Sequence, residues 1–161
     1  MEKMKLTEIV QAVEGSFGYP ADIDITSVST DTRTIKAGSV FVALKGANFD
    51  GHDYGKKACE LGAEAVIAER PIEGVRCIIV DSTDRALLQL AAYYRRKFKI
   101  PLVGITGSVG KTTTKDMIAL AVSKKYNTLK TDGNHNNEIG LPLTLFGLES
   151  STEAAVIEMG M

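Results

Sequence analysis

Apolar positions along the chain follow two alternating rhythms, one near 3.6 residues and one near 2. Leu6, Ile9, Val10 and Val13 recur at helical spacing; Thr7 stands as a candidate N-cap and Gly15 closes the segment. Residues 26–31 and 40–44 read as strands, with Lys36-Ala37-Gly38 as the turn that feeds the second. A helical pattern over 53–61 ends at Gly62. Ala65–Ala68 and Cys77–Val80 follow as short strands, separated by a loop holding Pro71 and Gly74. Ser82 is then placed to cap a stronger helix. Leu87, Leu90, Ala91 and Tyr94 form its apolar stripe, and Arg95, Arg96 and Lys97 suit the negative end of its dipole.

A domain boundary is expected near Phe98–Ile100. Pro101 opens a second unit with a strand at Leu102–Ile105, a glycine loop, and a helix from Lys111 to about Lys125. A strand at Tyr126–Leu129, a polar loop over 131–140 and a strand at Ala154–Ile157 complete it. Strand and helix alternate on both sides of the boundary, so the expected class is α/β in two parts, 1–98 and 99–161. The second part supplies three strands and two helices, fewer than the roughly five strands of a parallel sheet covered on both faces. The chain is therefore expected to be the front part of a longer protein.

Composition narrows the picture further. Of the 161 residues, 44% are apolar and 24% charged, which excludes a disordered chain. A formal charge of −1 gives no general attraction to nucleic acid or to a membrane surface. Apolar runs such as Cys77-Ile78-Ile79-Val80 are far too short to span a bilayer, and the N-terminus lacks the apolar core of a signal peptide. Cys59 and Cys77 are too few for a disulfide framework and read as buried free thiols. A soluble, cytoplasmic protein is expected, without stable membrane association.

Residues 104–114 read Gly-Ile-Thr-Gly-Ser-Val-Gly-Lys-Thr-Thr-Thr between an expected strand and an expected helix, the context a phosphate-binding loop requires. Gly107 and Gly110 let successive backbone N–H groups turn inward toward phosphate oxygens. The helix N-terminus adds its own unpaired donors and its positive dipole end. Lys111 would reach the β- and γ-phosphates, the Thr112 hydroxyl would ligate Mg²⁺, and Thr113 could donate to the α- or β-phosphate. One position departs from the general pattern: Ile105 stands where its first glycine belongs.

Two further segments carry candidate chemistry. Gly133-Asn-His-Asn-Asn-Glu-Ile-Gly-Leu-Pro142 can be a set of Asx turns, or a loop whose amides orient a polar substrate near the phosphate loop. His135 within it reads as a solvated loop histidine. Glu158 ends the run Ala-Ala-Val-Ile. At the C-terminal edge of a parallel sheet it could share an Mg²⁺ with Thr112; a surface glutamate after a strand reads equally well.

Together, Ile105–Met117, Gly133–Pro142 and Val156-Ile-Glu-Met-Gly160 resemble the Mur ligase family of peptidoglycan synthesis, in which the first glycine of the loop pattern is commonly absent. Ser29-Thr-Asp-Thr-Arg33, Gly38–Gly46 and Phe49-Asp-Gly-His-Asp53 look like its UDP-binding domain. Within the family, Ser108, Lys115-Asp116-Met117 and the Asn136-Asn137 pair look most like the branch that adds D-alanyl-D-alanine. The resemblance implies a small UDP-substrate-binding α/β domain followed by the first part of a P-loop, Rossmann-like ATPase domain with a mainly parallel sheet. It implies an ATP- and Mg²⁺-dependent amide-forming ligase, acting through an acyl phosphate on UDP-N-acetylmuramoyl-tripeptide and D-alanyl-D-alanine, and expected as a monomer.

By the same carry-over, Gly107, Ser108, Val109, Gly110, Lys111, Thr112 and Thr113 bind ATP. Thr112 and Glu158 hold the metal, and Lys111, Asn136 and Asn137 form the catalytic set. Thr30, Thr32, Ala47, Asn48 and Phe49 meet the UDP end, while Asp50 and His52 shape their loop rather than perform chemistry. A chain of this extent is expected to be inactive alone. A standalone nucleotide- or UDP-sugar-binding module is the alternative.

Overall fold

The β-branched runs of the first half assemble as a parallel sheet. The computed structural model describes residues 1–161 except Ala21, Asn134 and Met161. It divides into two compact units, Met1–Leu90 and Ala91–Met161, and the division falls within a helix. In the first unit, β1 (Met4–Lys5) pairs antiparallel with β2 (Asp24–Ile25), a two-residue ladder too short for periodicity to reveal. Between them α1 (Leu6–Ala12) buries Leu6 and Ile9. Thr7 lies inside this helix. The cap position is Lys5, whose backbone N–H donates to Glu8 Oε2 at 2.9 Å, so a downstream carboxylate does the work expected of the Thr7 hydroxyl.

The main sheet of the unit takes the order β3 (Ser27–Ser29), β4 (Ser39–Val42), β5 (Ala63–Ala68), β6 (Cys77–Ile79), all parallel. Val40, Val42, Ala65, Ile67 and Ile78 are fully buried along it. Such near-continuous burial is what a parallel sheet covered by helices requires. The helical pattern expected over 53–61 resolves into a 3₁₀ turn at Gly51–Tyr54 running into α2 (Gly55–Glu60). Asp50 caps that turn by accepting from the His52 N–H, which starts the helical path earlier than the apolar spacing shows.

Helix α3 (Thr83–Arg96) begins as expected at Ser82, whose Oγ accepts from the Arg85 N–H at 3.3 Å. Leu87, Leu90, Ala91 and Tyr94 are all buried, so the apolar stripe is the core-facing one.

The second unit is a three-stranded parallel sheet in the order β7 (Leu102–Ile105), β9 (Ala154–Glu158), β8 (Thr128–Lys130). The last strand in sequence is thus central, and every one of its residues is buried. β7 lies at the edge and leaves Leu102 and Val103 exposed, at 37% and 40%. Helix α4 (Lys111–Val122) packs Ala119, with Ile118 beside it, against Ile105 and Val156. The polar loop gives way to a short helix, α5 (Gly140–Leu145), which the polar composition before Pro142 concealed. Pro142 sits in its first turn, where a missing N–H costs nothing.

The Tyr94 hydroxyl donates to the Leu148 carbonyl at 2.6 Å in the buried interior, with Phe98 and Phe146 against its ring. Tyr94→Phe leaves that carbonyl without its donor and is expected to lower stability by about 1–2 kcal/mol. Urea denaturation of the two proteins measures the loss.

Candidate functional site

The loop between β7 and α4 has the backbone that an anion cradle needs. Gly107 (φ 143°) and Gly110 (φ 76°) both lie in the region L side chains avoid, so each bend depends on glycine. Gly110 is also the N-cap of α4, and no side chain caps the helix there. The first-turn N–H groups of a twelve-residue helix are therefore available to an external anion. Ser108, Val109 and Gly110 are exposed, Val109 at 88%, which leaves the concave backbone open to solvent. The Lys111 Nζ donates to the Gly107 carbonyl at 2.6 Å. The lysine thus closes over its own loop, and a bound phosphate would exchange that carbonyl for a charged acceptor. Thr112 and Thr113 are exposed in the first turn beyond it.

Glu158 is the last residue of β9 and is only 1% exposed. Its backbone N–H donates to Thr131 Oγ1 at 2.9 Å, which fixes the strand end. Its Oε1 accepts from Asn136 Nδ2 at 2.7 Å and from Thr112 Oγ1 at 3.3 Å. Its Oε2 is buried and has no hydrogen-bond partner among the described residues. The surface-glutamate reading is therefore excluded. Thr112, Asn136 and Glu158, far apart in sequence, meet at one carboxylate.

The two asparagines divide their labour. Asn136 reaches Glu158, whereas Asn137 Oδ1 accepts from the N–H groups of Ile139 and Gly140 and builds the turn into α5. The Asx-turn reading thus holds for Asn137, whereas Asn136 is brought to the Glu158 carboxylate. His135 is exposed, and Asn134 lies outside the described residues.

Would Mg²⁺ suit these residues? A buried carboxylate oxygen without a donor, beside a hydroxyl, is hard-oxygen chemistry of the right kind. Among the described residues no group of three or more His, Cys, Asp or Glu gathers to hold an ion. The protein would contribute Glu158 and Thr112, and phosphate and water would complete the shell. Lys115 was not among the candidate site residues in the sequence, yet it is 2% exposed with its Nζ 3.8 Å from Glu158 Oε2. Its spacing carried the signal: it follows Lys111 by one helical turn and so shares that face of α4.

In the first unit a cavity of about 460 Å³ is lined by Thr30, Thr32 and Phe49, together with Asp31, Arg33 and Tyr54. Three of the five residues expected at the UDP end therefore share one cavity. Ala47 and Asn48 precede Phe49 on the same exposed loop but are not in its lining. Phe49 and Tyr54 are about half exposed and offer two ring surfaces. Arg33 grips Asp31 through Nε and a second guanidinium nitrogen, and holds that carboxyl down to about 2. Cys59 and Cys77 are free; Cys77 is buried as expected, Cys59 is only partly so, and burial pushes both thiols up.

Asp50 and His52 hold the loop that carries Phe49 and Tyr54. The Asp50 carboxylate accepts from the His52 N–H at 3.0 Å and from Nδ1 at 2.5 Å, and Arg70 adds a third contact at 2.9 Å. His52 Nε2 accepts from the Glu69 N–H at 2.9 Å, so the neutral ring carries its proton on Nδ1. Both ring nitrogens are engaged, which leaves this buried histidine a structural part, as the sequence suggested. Glu69 in turn pairs with Lys45 and accepts from the Thr83 N–H and hydroxyl.

An α/β unit with a phosphate loop, in a chain that also carries a parallel α/β unit, defines a class, nucleotide-binding proteins of P-loop type. Comparison with known proteins narrows it. Residues 24–95 match the "Mur ligase family, catalytic domain" and residues 105–161 the "Mur ligase middle domain". The UDP-N-acetylmuramoyl-tripeptide--D-alanyl-D-alanine ligase of Bacillus subtilis is 43% identical over 167 aligned positions, covering 100% of this chain and 36% of that protein. The ligase of the same name from Synechocystis is 46% identical over 144 positions, covering 87% of this chain and 32% of that one. A crystal structure of MurF from Acinetobacter baumannii superposes with TM-score 0.94 at 36% identity, covering 100% of this chain and 36% of that chain. MurF from Thermotoga maritima in complex with ADP gives 0.76 at 39% identity, over 83% of this chain and 32% of that one. The chain belongs to the Mur ligase family. It spans about a third of the length of the curated relatives it matches.

The Asp50 carboxyl is held well below the ordinary carboxylate range, chiefly by the His52 backbone N–H, with the His52 ring and Arg70 adding to it. A depressed carboxyl stabilises the fold at pH above its unfolded value, about 4, and that contribution fades as pH falls further. Asp50→Asn is expected to lower the thermal midpoint by about 5 °C at pH 7. The gap between the two proteins should narrow at pH 3, which thermal denaturation at the two pH values would show.

Proposed function

We propose that this chain forms part of an ATP-dependent ligase that joins D-alanyl-D-alanine to UDP-N-acetylmuramoyl-tripeptide in the cytoplasm, acting as a monomer. Residues 1–98 are the UDP-substrate domain and residues 99–161 the first part of the ATP-binding domain. The observation that carries this reading is the convergence of Thr112, Asn136 and the unpartnered Oε2 of Glu158 beside the phosphate loop. The names of the relatives at 43–46% identity support the choice of substrates.

Phosphorylating the terminal carboxylate of the tripeptide requires charge neutralisation and in-line positioning. The N–H groups from Gly107 to Thr113 hold the phosphates of ATP, and Lys111 leaves the Gly107 carbonyl to meet the transferring group. Thr112 and Glu158 would hold Mg²⁺, whose positive charge would offset the negative charge that develops on the transferring phosphoryl group. Asn136 orients the Glu158 carboxylate, and Asn137 fixes the turn from which Asn136 reaches it. The acyl phosphate so formed is open to attack by the amine of D-alanyl-D-alanine, which releases phosphate. Thr30, Thr32 and Phe49, with Ala47 and Asn48 beside them, hold the UDP end. The remaining sheet of the longer protein is proposed to pair along the open edge of β7.

Calorimetry tests both halves. The chain is expected to bind UDP-muramoyl-tripeptide, and to bind a non-hydrolysable ATP analogue with Mg²⁺ weakly or not at all. Tight ATP binding with no response to the UDP compound would overturn the ligase reading. In the complete protein, Lys111→Ala should cut phosphoryl transfer by about 10²–10³-fold while UDP-substrate binding stays intact. Thr112→Val should raise the Mg²⁺ concentration needed for half-maximal rate and leave UDP-substrate binding unchanged, as a metal titration of the rate would show.

A further inference from the structure

Lys115 has no part in the reading above, yet it is among the most buried charges in the chain. At 2% exposure its Nζ lies 3.8 Å from Glu158 Oε2, 3.7 Å from Asp116 Oδ1 and 3.5 Å from the Gly133 carbonyl. Asp116 is half exposed and already pairs with Lys130 at 3.0 Å, so it is a weak claimant on the Lys115 charge. Glu158 is the strong one. Both members of that pair are buried, and the oxygen facing Lys115 is the one without a hydrogen bond. A buried carboxylate needs a positive neighbour, and Lys115 is the cation nearest to hand. The 3.8 Å separation exceeds hydrogen-bond length, so Lys115 balances the charge without occupying the lone pair.

We propose that Lys115 is a positioning residue that serves as the resident counter-ion of Glu158 and makes divalent-metal binding there depend on the nucleotide. The proposal rests on the reading of Glu158 as a metal ligand. With Lys115 in place, the buried pair is close to neutral, and a free divalent ion arriving at Oε2 meets a fixed positive charge a few ångströms away. Such a site attracts a bare cation poorly. An ion that arrives with di- or triphosphate brings negative charge with it, and the repulsion is offset. Lys115 also reaches the Gly133 carbonyl, so one side chain of α4 holds both the strand end that carries Glu158 and the loop that carries Asn136.

The test uses Mn²⁺ followed by electron paramagnetic resonance in the complete protein, with and without ADP. Without nucleotide, Lys115→Met should bind Mn²⁺ at least tenfold more tightly than the parent, and ADP should improve Mn²⁺ binding less in the variant than in the parent. Equal Mn²⁺ affinity in the parent and Lys115→Met overturns the proposal. Glu158→Gln separates the two readings: if it leaves the nucleotide-dependent Mn²⁺ signal of the parent unchanged, the metal-ligand assignment itself fails. Should Lys115→Met not fold, the pair Lys115→Met/Glu158→Gln decides. A counter-ion role predicts that the double variant regains a cooperative thermal transition that Lys115→Met lacks, whereas a double variant that also fails to fold sinks it.

Discussion

One buried carboxylate organises the second unit. Glu158 ends the central strand, so its Cα is fixed by pairing on both sides and by the Thr131 hydroxyl beneath its N–H. A charge in that position is tolerable only if every neighbouring element supplies something to it. Helix α4 supplies Thr112 and Lys115, and the Asn-rich loop supplies Asn136. The elements around the phosphate loop are thus tied together by the need to accommodate one buried carboxylate. Replacing such a group by an apolar one would often cost a fold nothing. Its presence here is better explained by the oxygen it leaves unengaged.

The contrast with the first unit is instructive. Asp50 is also a carboxylate at a loop, but its oxygens are taken by His52 and Arg70. His52, an imidazole beside a carboxylate, has the outward form of an acid–base pair. The Glu69 N–H on Nε2 removes the lone pair that a base would need. The two clusters differ in completeness. Where the hydrogen bonds close, as around Asp50, the side chains hold a loop in place. Where one buried acceptor stays open, as at Glu158, the arrangement is ready for a ligand.

Much of this was legible in the sequence because it depends on short-range pattern. The stripe of α3, the β7–loop–α4 transition and the strand ending in Glu158 each follow from periodicity and glycine placement over a few residues. Three features were not legible, for distinct reasons. The β1–β2 ladder has two residues per strand, below any detectable period. Helix α5 is six residues long and follows a loop whose polar composition masks it, its start being set by Asn137 rather than by an apolar stripe. The burial of Lys115 depends on the approach of β9 and of the Gly133 loop, contacts that no local window contains.

That last miss explains why Glu158 looked ambiguous from the sequence. A glutamate after a strand is as readily a surface residue as a ligand until its surroundings are known. What settles its burial is the partner lysine on the inner face of α4, since a carboxylate at 1% exposure needs a cation within reach. The phosphate loop and Glu158 are therefore linked twice through α4. Thr112 links them through a hydroxyl that can share an ion with Glu158, and Lys115 through a charge that stands in for one. Because Thr112 and Lys115 are three residues apart on the same helix, any shift of α4 that admits a nucleotide moves both together relative to Glu158. On the proposed counter-ion role, the balance between resident and arriving cation is in this way coupled to occupancy of the phosphate loop.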